Sequence, residues 1–243
     1  MLNRVYSIFD KRIRPLRNHV FLAFPKHGIA YARIAEPAFQ LLRPVLHRLA
    51  GTEDLLPDNG HVACQSPGTE RLLFHGDVEL LTARELKRRY PEMKVVAWVQ
   101  DPAHRLAYCY DRIILNSEEL PAYYEERHFT KDMSPREFVA QVAGISDLEA
   151  DNLFRSQTAS LSYKGMMTAD VVLRLENFEQ SLARFFAESA LNIRPLPAVS
   201  YRLSNFVTQT TLRAFSDAAL VQKLKRRYRA DYAVLYSREA LTA

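Results

Sequence analysis

The sequence predicts an α/β protein in which a central, mostly parallel sheet is covered by helices on both faces. Three observations carry that expectation. Short continuous apolar runs, HVFLAF (19–24), KVVAWVQ (94–100) and DVVLRLE (170–176), have the make-up of strands buried on both sides. Between them lie segments with apolar residues at helical spacing, so strands alternate with helices. The composition, 48% hydrophobic with only 7 Gly and 12 Pro, supplies a large core and no low-complexity linker.

Taken in order, HVFLAF ends in Pro25, Lys26, His27 and Gly28, and a loop must follow. IAYARIAEPAFQLLRPVLHRLA then reads as a helix, broken or kinked at Pro37 and Pro44. Residues 51–69 are rich in Pro, Gly, Asp and Asn and read as a long loop, with HVAC (61–64) as a short strand inside it. RLLFHG (71–76) reads as a second strand. Thr82 with Glu85 three residues on forms a capping box that opens a short helix closed by Pro91. KVVAWVQ is the strongest strand, and Asp101 followed by Pro102 caps the helix AHRLAYCYDRIIL.

Residues 116–133 have mixed charge and no period, which predicts a surface excursion. Ser134, Pro135 and Glu137 open another capped helix, and LEADNLFRSQTASL continues helical. The strand DVVLRLE, the helix FEQSLARFFAESAL and a mainly helical tail from Ser204 to Tyr236 complete the chain. No internal repeat interrupts it, so a single domain over 1–243 is expected. Residues 1–18 form an N-terminal helical extension and 204–243 the C-terminal helices.

Charge and cysteine usage narrow the function classes. A formal net charge of +5 favours anionic partners. The basic runs Lys87 to Arg89 and Lys223 to Arg229 fall on helices whose other positions are apolar and read as solvated helix faces, and nucleic acid is not expected. There is no apolar run of roughly 18 residues, and MLNRVYSIFDKRIRPLRN breaks its apolar positions with Arg and Lys, which predicts neither a spanning helix nor a secretory signal. Two cysteines, Cys64 and Cys109, are too few for a disulfide framework or a four-ligand zinc site. A cytoplasmic setting without a metal is the expectation; oligomeric state is not encoded in any pattern.

A buried strand running into a Lys and Gly loop and then a helix makes an anion site, because the first-turn N–H groups and the helix dipole point at one place. Phosphate or sulfate is the expected guest. The loop Pro25, Lys26, His27, Gly28 is one such junction, and Gln100, Asp101, Pro102 is a second.

These two junctions, together with DNLFRSQ and ADVVLRLENF, resemble in order and spacing the sulfotransferase family, in particular the carbohydrate sulfotransferases of bacterial type. The resemblance runs from about His19 to Tyr236, and the tail VQKLKRRYRADYAVLY is similar to the family's closing helix with Tyr-x-x-Asp-Tyr. Pro25 and Lys26 match the opening of the phosphosulfate loop Pro-Lys-Thr-x-x-Thr-Ser. Asp101, Pro102, Arg105, Leu106 and Tyr110 match Arg-Asp-Pro-x-x-Arg-Leu-x-Ser-x-Tyr. Arg155 and Gln157 match His-x-Arg-x-Gln, and Leu173, Glu176, Asn177 and Phe178 match the strand that ends in Glu-Asn.

The resemblance implies a P-loop-like, three-layer α/β fold that binds 3′-phosphoadenosine 5′-phosphosulfate and moves its sulfuryl group to a hydroxyl, commonly on a sugar. The transfer needs donor and acceptor in line, charge stabilised on the leaving oxygen, and a group that takes the acceptor's proton. It implies Lys26 as the positive charge and a donor site from Pro25, Lys26, His27, Gly28, Ala30, Tyr31, Gln100, Arg105 and Tyr108. Arg155 and Gln157 would touch the substrate, and segments 51–70 and 116–133 would line an acceptor cleft. The strands ending at Phe24 and Gln100 should then lie close, with both following helix N-termini opening on one cleft.

The chain departs from the family at ligand positions. Ala30 and Tyr31 replace the hydroxyl residues of the first loop, and Gln100 and Tyr108 replace the Arg and Ser that hold the 3′ phosphate. Arg105 or Arg112 could compensate. The family's Gly-His becomes Gly76 and Asp77, with His75 beside them, so Asp77 or His75 is the candidate base. Leu153 replaces the His of the third element. Two functions stay open: a transferase with a non-standard donor site, and a catalytically inactive member with a binding or regulatory role. A nucleotide-dependent kinase is disfavoured, since no Walker Ser/Thr or clear magnesium carboxylate follows Lys26.

Overall fold

A computed structural model of the chain describes residues 16–56, 69–189 and 201–237. The strand expected at 61–64, Cys64, the loop over 57–68 and the N-terminal extension up to residue 15 lie outside the described residues. Two compact units emerge. One comprises Asn18–Val99 and Leu161–Tyr201, the other Met1–Arg17, Gln100–Ser160 and Arg202–Ala243.

The first unit holds a five-stranded sheet. Its strands are β1 (His19–Phe24), β2 (Ile29–Ala32), β3 (Glu79–Thr82), β4 (Lys94–Val99) and β7 (Val171–Arg174), in the order β3-β1-β2-β4-β7. β1 is antiparallel to both its neighbours, while β2 pairs parallel with β4 and β4 with β7. Four strands therefore run one way and β1 runs against them, which gives the mostly parallel sheet that the apolar runs predict. A two-stranded ribbon, β5 (Ser162–Tyr163) with β6 (Met166–Met167), lies outside this sheet.

The register places Leu80, Leu22, Tyr31, Val96 and Val171 in one row across all five strands. Helices pack on that face through aromatic side chains. Tyr31 stacks on Phe39 of α1 (Glu36–Ala50), and Trp98, two residues beyond Val96, packs against Phe178 and Phe185 of α8 (Phe178–Ser189) at 5.1 and 6.5 Å. The remaining helices of this unit among the described residues are the short α2 (Thr69–Leu72) and α3 (Ala83–Arg89), the latter opened by the expected Thr82 and Glu85 capping box.

Three expectations are corrected here. The segment after Gly28 does not enter a helix; it turns back as β2, and α1 starts only at Glu36. The three-residue 3-10 turn Pro25–His27 ends on Gly28 at φ 63°, whose N–H donates to the Pro25 carbonyl. That left-handed residue is what a short antiparallel connection needs. RLLFHG is not a strand but α2 followed by a 3-10 turn over Leu73–His75, and the strand sits later, at Glu79–Thr82. The junctions at Phe24 and Gln100 are not neighbours: Phe24 pairs with Ile29 and Ile29 with Lys94, the start of β4. The chain leaves β4 toward Gln100 at the other end, roughly 16 Å away for five residues of strand.

The second unit is helical. It contains α4 (Pro102–Tyr110), continued by a π-helical turn over Asp111–Leu115, then α5 (Ala122–Glu125), α6 (Pro135–Gly144), α7 (Gln157–Leu161, with Leu161 belonging to the first unit), α9 (Gln209–Phe215), α10 (Ala218–Arg227) and α11 (Arg229–Leu235). Asp101 caps α4 by accepting from the N–H groups of Ala103 and His104, and Ser134 caps α6 in a capping box with Glu137, both as the sequence predicts. The helix expected over 148–161 shrinks to α7, because residues 147–155 are held in turns. Segment 116–133 is no surface excursion throughout: Tyr123, Tyr124 and Phe129 are buried among Phe138, Phe154, Tyr110 and Phe215 in an aromatic core of edge-to-face and tilted ring pairs.

Candidate functional site

In the sheet unit, the side chains singled out for anion chemistry gather at the turn between β1 and β2. Gly76 brings its backbone against the C-terminus of α1, where a Cβ would stand 2.1 Å from the Ala50 carbonyl oxygen. The Asp77 N–H donates to that same carbonyl at 2.8 Å. Fixed in this way, the Asp77 carboxylate meets Lys26 Nζ at 3.1 Å. The sequence-predicted charge donor and one candidate base thus come together, on a surface where the Lys26 side chain is 77% exposed.

Next to this pair on the same sheet end, the Glu79 carboxylate accepts from the Tyr90 hydroxyl at 2.6 Å and pairs with Arg89. The hydrogen bond to Glu79 raises the Tyr90 pKa, with smaller contributions from burial and from the negative charges of Glu79 and Asp77. His75 and His27 are exposed and hold no described partner at this cluster. An exposed ion pair in water is worth about 0–1 kcal/mol, so this cluster is a charged rim rather than a water-excluded centre. No helix N-terminus follows Gly28, so the N–H cradle expected for a phosphate is absent from this turn.

Ala30 and Tyr31, expected on the donor, are instead strand residues buried in the sheet unit, at 0 and 1% exposure. Burial raises the Tyr31 phenol well above its ordinary pKa, with the nearby Glu36 carboxylate adding to the shift.

In the helical unit, the remaining candidates have structural partners. Gln157 lies fully buried and clasps the backbone of Gln100: its Oε1 accepts the Gln100 N–H at 2.9 Å and its Nε2 donates to the Gln100 carbonyl at 2.8 Å. The Asp231 carboxylate sits at the start of α7, accepting the N–H groups of Gln157 and Thr158, both at 2.9 Å, and the Thr158 hydroxyl at 2.7 Å. Negative charge at a helix start is favourable, and a buried carboxylate with three donors is satisfied.

Arg105, 4% exposed, spreads its guanidinium over the carbonyls of Asn152 and Arg155, which closes the turn that carries Arg155. Tyr108 is buried in the helix core and accepts a hydrogen bond from Arg112 at 2.7 Å. Gln100, Arg105, Tyr108 and Gln157, expected on the donor and the substrate, thus each make hydrogen bonds within the helical unit.

Asp231 is the residue that sequence reasoning passed over, although the Tyr-x-x-Asp-Tyr pattern of Tyr228, Asp231 and Tyr232 marked it. Asp111 was missed as well. It accepts from the N–H and hydroxyl of Thr208 and from the Thr211 hydroxyl, tying α9 to the π-helical turn. No local signal pointed to it, since its partners lie about a hundred positions away.

Cys109 is a free thiol in the helical unit. It is fully buried with its sulfur 3.5 Å from the Tyr124 hydroxyl, and burial pushes its thiol up to about 12. Among the described residues no group of three or more His, Cys, Asp and Glu side chains could hold a metal ion, and no helix is long and apolar enough to cross a membrane. Comparison of the chain with protein-family models, with curated proteins and with solved structures returns no match.

Proposed function

We propose that the chain is a catalytically inactive relative of the sulfotransferases that works by binding, without sulfuryl transfer from 3′-phosphoadenosine 5′-phosphosulfate. The observation that carries this reading is the hydrogen bond from the Lys94 N–H to the Gly28 carbonyl, which anchors the Lys26 turn at the start of β4. Ligands of open α/β sheets bind beyond the carboxyl ends of the parallel strands, the end from which the chain runs on to Gln100. The structural partners of Arg105 and Gln157 support the same reading.

The experiment is a calorimetric titration of the whole protein with 3′-phosphoadenosine 5′-phosphate, the donor's stable product, at low and physiological salt. No heat of binding is expected. Micromolar or tighter affinity, about −8 kcal/mol or more, would overturn the reading.

A second reading is favoured by one contact, the Lys26–Asp77 pair at 3.1 Å. It is a transferase in a P-loop-like scheme, in which Lys26 holds the phosphosulfate and Asp77 takes the proton of a carbohydrate hydroxyl. Its mark in the same titration is binding by the native protein that disappears in Lys26→Ala.

A further inference from the structure

An exposed patch in the helical unit combines unpaired cations with isolated leucines. On α10 the apolar side is spent on the core, since Leu220 and Leu224 are buried. Lys223, Lys225 and Arg226 on the other side, and Arg229 at the start of α11, are exposed and form no ion pair among the described residues. Arg227 alone turns back, pairing with Asp147 at 2.7 Å.

That pair joins the cations to apolar surface. Arg17 donates to the carbonyls of Asp147, at 2.6 Å, and Leu148. Its own carbonyl accepts from Asn152 Nδ2 at 2.9 Å. The three bonds hold the chain at Leu16 against the turn at Leu148, and these two leucines are 61 and 60% exposed. By composition, residues 1–15 carry the same mixture, with Arg4, Lys11, Arg12 and Arg14 beside Val5, Ile8, Phe9 and Ile13.

We infer that this face docks on a membrane surface containing anionic lipid. Each Lys or Arg near such a surface strengthens binding about fivefold, and exposed leucines gain by entering the headgroup boundary. Two aliphatic side chains have no use on a phosphate backbone, and among the described residues no exposed aromatic stands beside the cations to stack on bases, so nucleic acid fits the face less well. The face acts as a peripheral anchor, independently of any donor binding at the Lys26 turn.

The test is flotation of the full chain with vesicles of phosphatidylcholine alone or mixed with phosphatidylglycerol, at physiological and high salt. Binding to the mixed vesicles only, reversed by high salt, is expected. Lys223→Ser with Arg226→Ser should weaken it about 25-fold, while the charge-matched Arg84→Ser with Arg88→Ser should change it less than twofold. Leu16→Ser with Leu148→Ser should weaken vesicle binding several-fold at unchanged net charge and leave binding to duplex DNA unaltered. All these side chains are exposed or on a helix surface, and an unchanged thermal midpoint shows that each variant folds. No binding to mixed vesicles, an equal loss in the charge-matched control, or indifference to the leucine pair overturns the inference.

Discussion

Asp231 and Gln157, 74 positions apart, meet where the Asp231 carboxylate accepts the Gln157 N–H at 2.9 Å. One buried carboxylate thereby sets the start of α7 and, through the Gln157 side chain, the backbone of Gln100. A residue type that suggests substrate contact in the sequence is part of the internal frame of the helical unit.

Asp231→Ala should therefore lower the unfolding free energy by several kcal/mol, since it leaves two buried N–H groups and a hydroxyl without their acceptor. Asp231→Asn, which keeps one acceptor oxygen, should lose less. Urea unfolding of both variants checks the order; equal losses, or a loss under about 1 kcal/mol for Ala, would contradict the role given to this carboxylate.

Gly76→Ala should destabilise by about 1–3 kcal/mol or more, because the added Cβ would meet backbone and not a side chain that can move aside. Gly144→Ala, at the end of α6 with nothing within 4 Å of the new carbon, should be neutral or slightly stabilising. The pair measured in one denaturation series separates crowding from backbone entropy.

His47 makes stability depend on pH. Burial, helped by repulsion from Arg43, lowers its pKa below the ordinary 6.5, against a smaller raising contribution from its hydrogen bond at Thr52. The unfolded chain then takes up a proton at a higher pH than the folded one, so the contribution from His47 is complete above about 6.5 and falls as the pH drops from there toward the folded value. In His47→Gln the slope of unfolding free energy between pH 7.5 and 5.5 should be shallower than in the parent, and an identical slope would remove His47 as its source.

Cys109 should resist alkylation in the native protein at neutral pH and react only on unfolding, because its sulfur is buried and its thiol is held protonated. Peptide mapping after iodoacetamide treatment reads this directly, with the urea-unfolded protein as the positive reference. Ready native labelling at Cys109 would show that the helical core opens far more often than its packing implies.

The sequence by itself determined the elements whose causes are local. The capping boxes at Thr82 and Ser134, the Asp101 cap and the apolar runs that become β4 and β7 each depend on residues within a few positions; the caps and β4 stand where the sequence puts them, and β7 keeps Val171–Arg174 of the expected 170–176. Only the tertiary structure decided the direction of β1 and the fate of the polar side chains. A buried apolar run ending in a Gly turn is equally compatible with a strand–loop–helix and with a hairpin, and the Ala-rich IAYA has no period that separates helix from strand. The choice is made by pairing β2 with β4, some 65 residues on, and with it the Lys26 turn moves to the sheet end away from Gln100. Arg105 and Gln157 likewise carry the chemistry of ligand binding in isolation; their burial against Asn152, Arg155 and Gln100 spends it on the fold, because a buried polar group must find its partners wherever packing brings them.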